Sequence, residues 1–304
     1  IIPYKELASE LSRVGESWEL SGMPGSESVV AEGPWTGSTL PELIGRFGAE
    51  LLGKANYARF GQEFPLLVKF IDAREDLSIQ VHPDDELARK RHGKSGKCEM
   101  WYVLEAEPGA SLLTGFSRPI APAEYERRVA DNTLTDVLNR QAIASGDVFY
   151  LPAGRVHSIG KGSFIVEIQQ SSDITYRIYD FDRRDAAGNS RELHTELARE
   201  AIDFESSENS RITYAPENNQ EVRLVTTPYF TTSLYTLTAR TRCDWSATDS
   251  FVAIVLLQGS GSLTDNEGNR IDVRQGETWL LPASTQWTEI TPHTATLRLL
   301  TSRI

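Results

Sequence analysis

The chain has 304 residues, of which 39% are hydrophobic and 24% charged, a composition typical of a globular protein rather than a disordered one. Its net charge of −12 argues against a surface built for nucleic acid or for an anionic membrane, and no apolar run approaches the roughly 20 residues of a membrane span. Cys98 and Cys243 are too few for a disulfide framework, and neither lies in a metal-type CxxC pair. We therefore expect a reduced, cytoplasmic protein.

Helical patterns are few and short. They are predicted at 40–52, 84–91, 122–130 and 193–204. Pro41 lies near the start of the first, where its missing N–H costs nothing, and the apolar residues that follow recur at helical spacing. Asp84 is placed to cap the second helix, and Gly93 to end it.

Strand patterns dominate the rest of the chain, as short β-branched or aromatic runs bounded by turn residues. The predicted strands lie at 78–82, 100–104, 147–151, 163–168, 223–227, 230–235, 251–257, 278–281 and 295–300. Many short strands separated by turns are typical of a β-sandwich or barrel. The polar stretches 205–210 and 217–220 are interpreted as a linker, which predicts domains at 1–205 and 206–304.

Two twelve-residue segments of the chain are similar to each other. The segments 146–157 and 276–287 carry Gly, Leu, Pro and Ala at the same offsets. Each predicts a turn, a strand, a proline-anchored turn and then a side chain directed into a barrel, which is His157 in the first copy and Trp287 in the second. Chance similarity over so short a stretch is the alternative. The first copy resembles the second motif of the cupins, which implies a mostly β chain with two cupin-like jelly-roll barrels and a few short helices.

Four side chains of the first barrel are candidates for one metal centre. Gln80 and His82 are two residues apart on a strand and share a face, Glu99 lies on the next strand-like run, and His157 ends the proline-anchored turn. Two imidazoles, a carboxylate and an amide oxygen suit a borderline divalent ion, zinc before others. A histidine on a strand is more often a hydrogen-bonded core residue, but a carboxylate within an apolar strand is costly unless paired or bound to a metal.

Positive charge lies close to this predicted centre. Lys97 alternates onto the face of Glu99, where an amine beside a divalent cation is expected to transfer protons near neutral pH. The basic run from Arg89 to Lys97 is explained either by a solvated helix face or by local attraction of an anionic substrate. On one interpretation, Asp173 and Arg177 form an ordinary ion pair within a loop. The alternative is that the Arg177 guanidinium is held in place to bind a phosphate or an oxyanion.

Four motifs together resemble the type I mannose-6-phosphate isomerases, in their short bacterial form. They are SIQVHPDD at 78–85, GKCEMWYV at 96–103, PAGRVHS at 152–158 and SDITYRIYD at 172–180. The resemblance covers essentially the whole chain. Two departures are Cys98, where the family often has Thr, and the absence of the usual N-terminal Trp-Gly-Gly strand. Because the chain also begins Ile1-Ile2-Pro3 without Met, we expect that residues precede it.

The resemblance implies isomerisation of mannose 6-phosphate and fructose 6-phosphate through a cis-enediol. It implies one zinc ion held by Gln80, His82, Glu99 and His157, and an active-site arginine at Arg177.

Within this implied reaction, Lys97 is the candidate for proton transfer, with a zinc-bound water as its competitor. Arg177 would stabilise the enediolate charge or orient the substrate. Lys94, Arg89 and Asp173 are candidates to bind the sugar phosphate. We expect a monomer or a homodimer, with no nucleic-acid or membrane partner.

Three other functions fit parts of the same pattern. A related cupin that acts on another sugar phosphate would share all four motifs. A metal-dependent cupin dioxygenase or epimerase would typically carry His-x-His in the first motif, where this chain has Gln80. A non-catalytic sugar-binding cupin would be expected to lose ligands, as the second barrel has, whereas the first barrel keeps all four.

Overall fold

The computed structural model describes residues 1–7, 11, 14–185, 187–205 and 209–304. Strands dominate these residues, as the sequence predicts. The strands are β1 (Glu16–Leu20), β2 (Leu66–Ala73), β3 (Ile79–Val81), β4 (Glu99–Ala106), β5 (Ser111–Phe116), β6 (Leu138–Ala142), β7 (Val148–Leu151), β8 (His157–Ile159), β9 (Ser163–Gln170), β10 (Tyr176–Tyr179), β11 (Arg211–Ile212), β12 (Val222–Thr226), β13 (Thr231–Leu237), β14 (Thr241–Asp244), β15 (Val252–Gln258), β16 (Ser260–Asp265), β17 (Arg270–Arg274), β18 (Thr278–Leu281), β19 (Trp287–Pro292) and β20 (Leu297–Arg303).

The helices are short. They are α1 (Leu40–Phe47), α2 (Ala49–Leu52), α3 (Lys54–Phe60), α4 (Asp85–His92), α5 (Pro122–Ala130) and α6 (Thr195–Ala201), with a 3₁₀-helix at Leu134–Val137. The predicted helix at 40–52 is broken at Gly48, whose φ of 50° interrupts the helical backbone. In the part of the chain that the structure describes, no helix is long and apolar enough to span a bilayer.

Helix α4 and the turn after it place Lys97 beside the strands of the site. The Asp84 side chain accepts a hydrogen bond at 2.8 Å from an N–H of the first helical turn, and the helix ends at Gly93 in the left-handed conformation, as predicted. At Gly96, a Cβ atom would lie 2.4 Å from the carbonyl carbon of Asp84, so only glycine lets the chain return this closely. That return brings Lys97 to the start of β4.

The described residues divide into two compact units. One comprises Lys69–Ile212, and the other comprises Ile1–Val68 together with Thr213–Ile304. The predicted boundary at 205/206 lies next to residues 206–208, which are outside the described part of the chain, and it stays a prediction.

The unit Lys69–Ile212 contains two antiparallel sheets. The larger has the strand order β2-β9-β4-β7-β11, and the smaller has the order β10-β3-β8-β5-β6. Most of β4 and all of β9 are buried, because side chains of both strand faces pack against other parts of the fold. Glu99 lies on the larger of these sheets and His157 on the smaller, and His82 directly follows β3.

The other unit repeats the arrangement of two antiparallel sheets, with the orders β12-β13-β20-β15-β18 and β14-β19-β16-β17. Its interior is an apolar cluster that includes Trp245, Ile254 and Leu299. The prediction of a mostly β chain with two cupin-like jelly rolls and a few short helices is confirmed.

In the second copy of the repeat, the residue that corresponds to His157 does not point into the interior as predicted. Trp287 is only half-buried, and the guanidinium carbon of the exposed Arg242 lies 4.2 Å from the centre of its ring. The next residue, Thr288, is 1% exposed and accepts a hydrogen bond at 3.0 Å from the indole N–H of Trp245. The prediction of an interior Trp287 was wrong because the inward position lies one residue further from the proline than in the first copy.

This placement predicts unequal costs for two tryptophan substitutions. Trp245→Ala should lower the free energy of unfolding by about 3–5 kcal/mol, since it empties a buried indole site and leaves the Thr288 hydroxyl without its donor. Trp287→Ala should cost about 1 kcal/mol or less, because it removes mainly a surface cation–π contact. Urea unfolding of the two variants measures the difference, and equal costs would contradict the assignment.

Candidate metal centre

One row of side chains crosses the smaller sheet of the unit Lys69–Ile212. In the strand register, Arg177 of β10 lies opposite Gln80 of β3, Gln80 lies opposite His157 of β8, and His157 lies opposite Thr114 of β5. Residues directly opposite each other in an antiparallel pair point to the same face. The register therefore brings Gln80, His157 and Arg177 to one face, although they are distant in sequence.

His82, Glu99 and His157 come together in the interior of this unit. The His157 Nε2 atom lies 3.2 Å from Glu99 Oε1, and the His82 Nε2 atom lies 3.5 Å from Glu99 Oε2. All three side chains are at most 2% exposed, and their candidate ligand atoms lie within 4.8 Å of one another. We call these three residues the triad; their arrangement is suited to hold a single metal ion.

Main-chain carbonyls fix the tautomers of both triad histidines. Nδ1 of His82 lies 2.8 Å from the Ile174 carbonyl oxygen, and Nδ1 of His157 lies 2.8 Å from that of Arg155. A carbonyl can only accept, so each Nδ1 carries the proton and each Nε2 presents a lone pair to Glu99. Burial, with the nearby Lys97 charge, lowers the pKa of His82 to about 3. Burial also lowers the pKa of His157, so both rings are neutral near pH 7.

Three of the inward atoms of the triad are left without hydrogen bonds. Nε2 of His82 and both carboxylate oxygens of Glu99 are buried and have no hydrogen-bond partner among the described residues. Burial would raise the pKa of Glu99, but the nearby Lys97 charge holds it well below its usual range. The two Nε2 lone pairs thus face the buried Glu99 carboxylate. Although the Lys97 ammonium lies 3.1 Å from Oε2, this arrangement is costly unless a cation lies between the three side chains. The triad therefore fits a divalent metal ion.

Gln80, the fourth predicted ligand, lies beside the triad with its amide nitrogen inward. Nε2 of Gln80 lies 3.3 Å from Nε2 of His157, and its Oε1 accepts a hydrogen bond at 3.3 Å from the Ser78 hydroxyl. The side chain is half-buried. The structure thus brings Gln80 to the triad without presenting its oxygen to it.

Lys97 belongs to a buried group of charges next to the triad. Its Nζ lies 3.1 Å from Glu99 Oε2 and 4.0 Å from Glu167 Oε1, and Nζ of Lys69 lies 3.3 Å from the same Glu167 oxygen. The second oxygen of Glu167 accepts a hydrogen bond at 3.0 Å from the indole N–H of Trp101. Sequence analysis missed Lys69 and Glu167, yet both are charged residues within apolar strands, the pattern that had favoured Glu99.

Arg177 starts on the face of Gln80, and the tip of its side chain bonds to the main chain of Glu192. Its Nη1 donates a hydrogen bond at 3.0 Å to the Glu192 carbonyl, whereas its buried Nε has no hydrogen-bond partner in the described part of the chain. Burial lowers the pKa of Arg177, and the neighbouring Arg191 charge lowers it further against the opposing effect of Asp180. One donor of this guanidinium, on a residue that pairs in register with Gln80, is thus left for a bound ligand.

The predicted substrate-binding residues lie at the surface around α4. Asp173 does not pair with Arg177; its Oδ1 lies 2.9 Å from Nζ of Lys94, and both side chains are about half exposed. Arg89 is exposed on α4, whereas Arg91 of the same basic run pairs with Glu200 at 2.5 Å. The basic run from Arg89 to Lys97 therefore contains both packed and exposed cations. The binding roles of Asp173, Lys94 and Arg89 stay predictions.

The chain is similar to proteins of one family along most of its length. The family model for the catalytic domain of type I phosphomannose isomerase matches residues 5–113. The chain is 35% identical to a mannose-6-phosphate isomerase of Streptococcus mutans over 269 aligned residues. The alignment covers 88% of this chain and 82% of that protein. A crystal structure of the mannose 6-phosphate isomerase from Bacillus subtilis superposes with a TM-score of 0.88 at 30% identity, covering 100% of this chain and 94% of that one.

Proposed function

Since the chain belongs to the type I mannose-6-phosphate isomerase family, we propose that it interconverts mannose 6-phosphate and fructose 6-phosphate. The observation that carries this proposal is the buried triad, in which Nε2 of His82 and both carboxylate oxygens of Glu99 lack a hydrogen-bond partner among the described residues. The reaction runs in the cytoplasm in this proposal, and the oligomeric state, monomer or homodimer, stays a prediction.

The test is turnover of mannose 6-phosphate by the purified protein, followed as fructose 6-phosphate, with other aldose phosphates assayed in parallel. Preferred turnover of another aldose phosphate would favour the related-cupin alternative. Binding of mannose 6-phosphate without turnover would favour a sugar-binding cupin.

We assign the metal to the triad and favour zinc, because two neutral imidazoles and a carboxylate are donors that zinc prefers. Gln80 would complete the set after a half-turn of its amide, which places Oε1 where Nε2 now lies, beside His157. When bound, the metal would act as a Lewis acid that polarises the substrate carbonyl. The hydrogen bonds from the two Nδ1 atoms to main-chain carbonyls would keep both rings in the ligating orientation.

Lys97 is the residue we assign to proton transfer. Conversion to the ketose moves one proton from C2 to C1 and one from O2 to O1, so the reaction needs a proton carrier and no redox partner. Lys97 is 5% exposed and lies directly beside Glu99, within the buried charge group. The Glu167 carboxylate, itself paired with Lys69, would hold its Nζ in place, so that a short side-chain movement can serve both carbons.

Arg177 is assigned to the charge that develops on the substrate oxygens. Its free Nε donor lies in a buried environment, where a hydrogen bond to an oxyanion is stronger than in water. Lys94 and Arg89 are assigned to the phosphate, and Asp173 would orient Lys94. These roles make opposite kinetic predictions, because a group that acts in the transition state affects kcat and an anchor affects KM.

We expect Arg177→Met to lower kcat by about 10²–10³, the usual effect of losing one oxyanion donor. Arg89→Met and Lys94→Met should raise KM and leave kcat near its wild-type value. Lys90→Met is the matched control, since Lys90 is also exposed on α4 and has no assigned role. Steady-state kinetics on the four variants measures kcat and KM separately. A raised KM with unchanged kcat for Arg177→Met would make Arg177 an anchor instead.

A further inference from the structure

We propose that His194 is a positioning residue, which holds Arg177 in its working orientation by binding both main-chain hydrogen-bonding groups of Arg177. The inference rests on the proposed role of Arg177 in the isomerisation. It assigns a function to a histidine that lies outside the triad and outside the four sequence motifs.

Arg177 lies on an edge strand, and its polar main-chain atoms face away from the sheet. β10 is the outer strand of the order β10-β3-β8-β5-β6. The N–H of Arg177 donates to Nδ1 of His194 at 3.2 Å, and the N–H of His194 donates to the carbonyl of Arg177 at 2.6 Å. One histidine thus supplies the acceptor and the donor that a neighbouring strand would otherwise provide.

The acceptor in this pair must be at the δ position of the side chain. Because the Arg177 N–H can only donate, Nδ1 of His194 carries a lone pair and the ring is in its neutral form with the proton on Nε2. Oδ1 of an asparagine is attached to Cγ, as Nδ1 of histidine is, and can take its place. The oxygen of a glutamine lies one bond further out and cannot do so without moving the backbone.

The same segment also fixes the guanidinium of Arg177. The carbonyl of Glu192 accepts from Nη1 at 3.0 Å, so residues 192–194 hold Arg177 at its N–H, its carbonyl and its side chain. Burial lowers the pKa of Arg177, and the nearby Arg191 and Arg183 charges lower it further against the opposing effect of Asp180. The contacts with residues 192–194 therefore hold a guanidinium that burial and its cationic neighbours disfavour.

His194 is itself anchored to the helix that follows it. It precedes α6, and its carbonyl accepts from the N–H of Ala198 at 2.8 Å. At the other end of the segment, Asp180 accepts from Nε of Arg191 at 2.7 Å and pairs with Arg183. The segment that holds Arg177 is therefore fixed at one end by α6 and at the other by the ion pairs of Asp180.

The test compares His194→Ala, His194→Asn and His194→Gln for kcat, KM, bound metal and melting temperature. We expect His194→Ala and His194→Gln to lower kcat by about 10–100-fold, the scale of a small misplacement of a reacting group, with KM and metal content close to wild type. His194→Asn should recover kcat to within a few-fold. His293→Ala, an exposed histidine of the other unit, is the matched control and should change nothing.

A double-mutant cycle with Arg177→Met closes the test. If His194 acts through Arg177, His194→Ala should have no further effect on kcat in the Arg177→Met background. Wild-type kcat in all three His194 variants would overturn the proposal, and so would equal losses in His194→Asn and His194→Ala. Absence of turnover in the wild type would overturn the proposed function itself. Unchanged kcat in Arg177→Met would overturn the role of Arg177. Both results differ from one in which only the His194 variants depart from the expected kcat values.

Discussion

Removal of the metal with a chelator is expected to abolish isomerisation, and zinc is expected to restore it. His82→Ala and His157→Ala should each lose bound metal and activity together, because each deletes one of the two imidazoles that face Glu99 among the described residues. The loss of activity in these two variants should exceed the loss in Lys97→Met or Arg177→Met. The histidine variants lose the metal itself, whereas the other two variants keep it. Metal analysis and turnover, measured on the same samples, test the expectation.

Two controls separate metal loss from unfolding. Far-ultraviolet circular dichroism should stay unchanged in the chelated protein, because the two sheets of this unit are held by their own strand pairing. His293→Ala, exposed and distant in sequence, should keep both metal and activity. Full turnover in protein shown to be free of metal would refute the metal assignment.

Lys97→Met should keep the metal and lose kcat by about 10²–10⁴, the usual contribution of a general acid or base. The side chain of Met fills a similar volume, and removing a positive charge 3.1 Å from Glu99 does not weaken the attraction of Glu99 for a cation. The substitution therefore separates proton transfer from metal binding, which the triad variants cannot do.

The measurement combines steady-state kinetics with the uptake of solvent deuterium at C1 of the product, which reports the proton transfer itself. Both should fall together in Lys97→Met, while Lys161→Met, an exposed lysine of the same unit, should behave as wild type. If kcat is kept and KM rises, Lys97 is an anchor and the proton travels through another group.

Local patterns in the sequence were enough to predict the elements that local contacts specify. Asp84 and Gly93 delimit α4 through contacts within the helix itself, so the prediction of its ends is confirmed. The strand alternation of Gln80 and His82, together with the proline-anchored turn before His157, was enough to bring the triad residues to one predicted centre.

Features that depend on distant contacts were missed. Helix α3 has no capping side chain of its own; the carboxylate of Asp249 accepts from the N–H groups of Lys54 and Ala55 at 2.7 and 3.0 Å. His194 lies 17 residues from Arg177, and nothing in the spacing indicates that the two main chains meet. Such partners become visible only when the chain is folded, because each is supplied by a segment with its own local preferences.

The row of Arg177, Gln80 and His157 across three strands makes the assembly of the site all-or-none. Side chains on a strand alternate between faces, so a slip of β3 by one residue would turn Gln80 outward and carry it away from both of its neighbours at once. An irregularity of the β10–β3 register between Arg177 and Tyr179 lies directly beside this row. Partial damage to these strands should therefore produce a mixture of fully competent and fully inactive molecules, rather than a population of uniformly slowed enzymes.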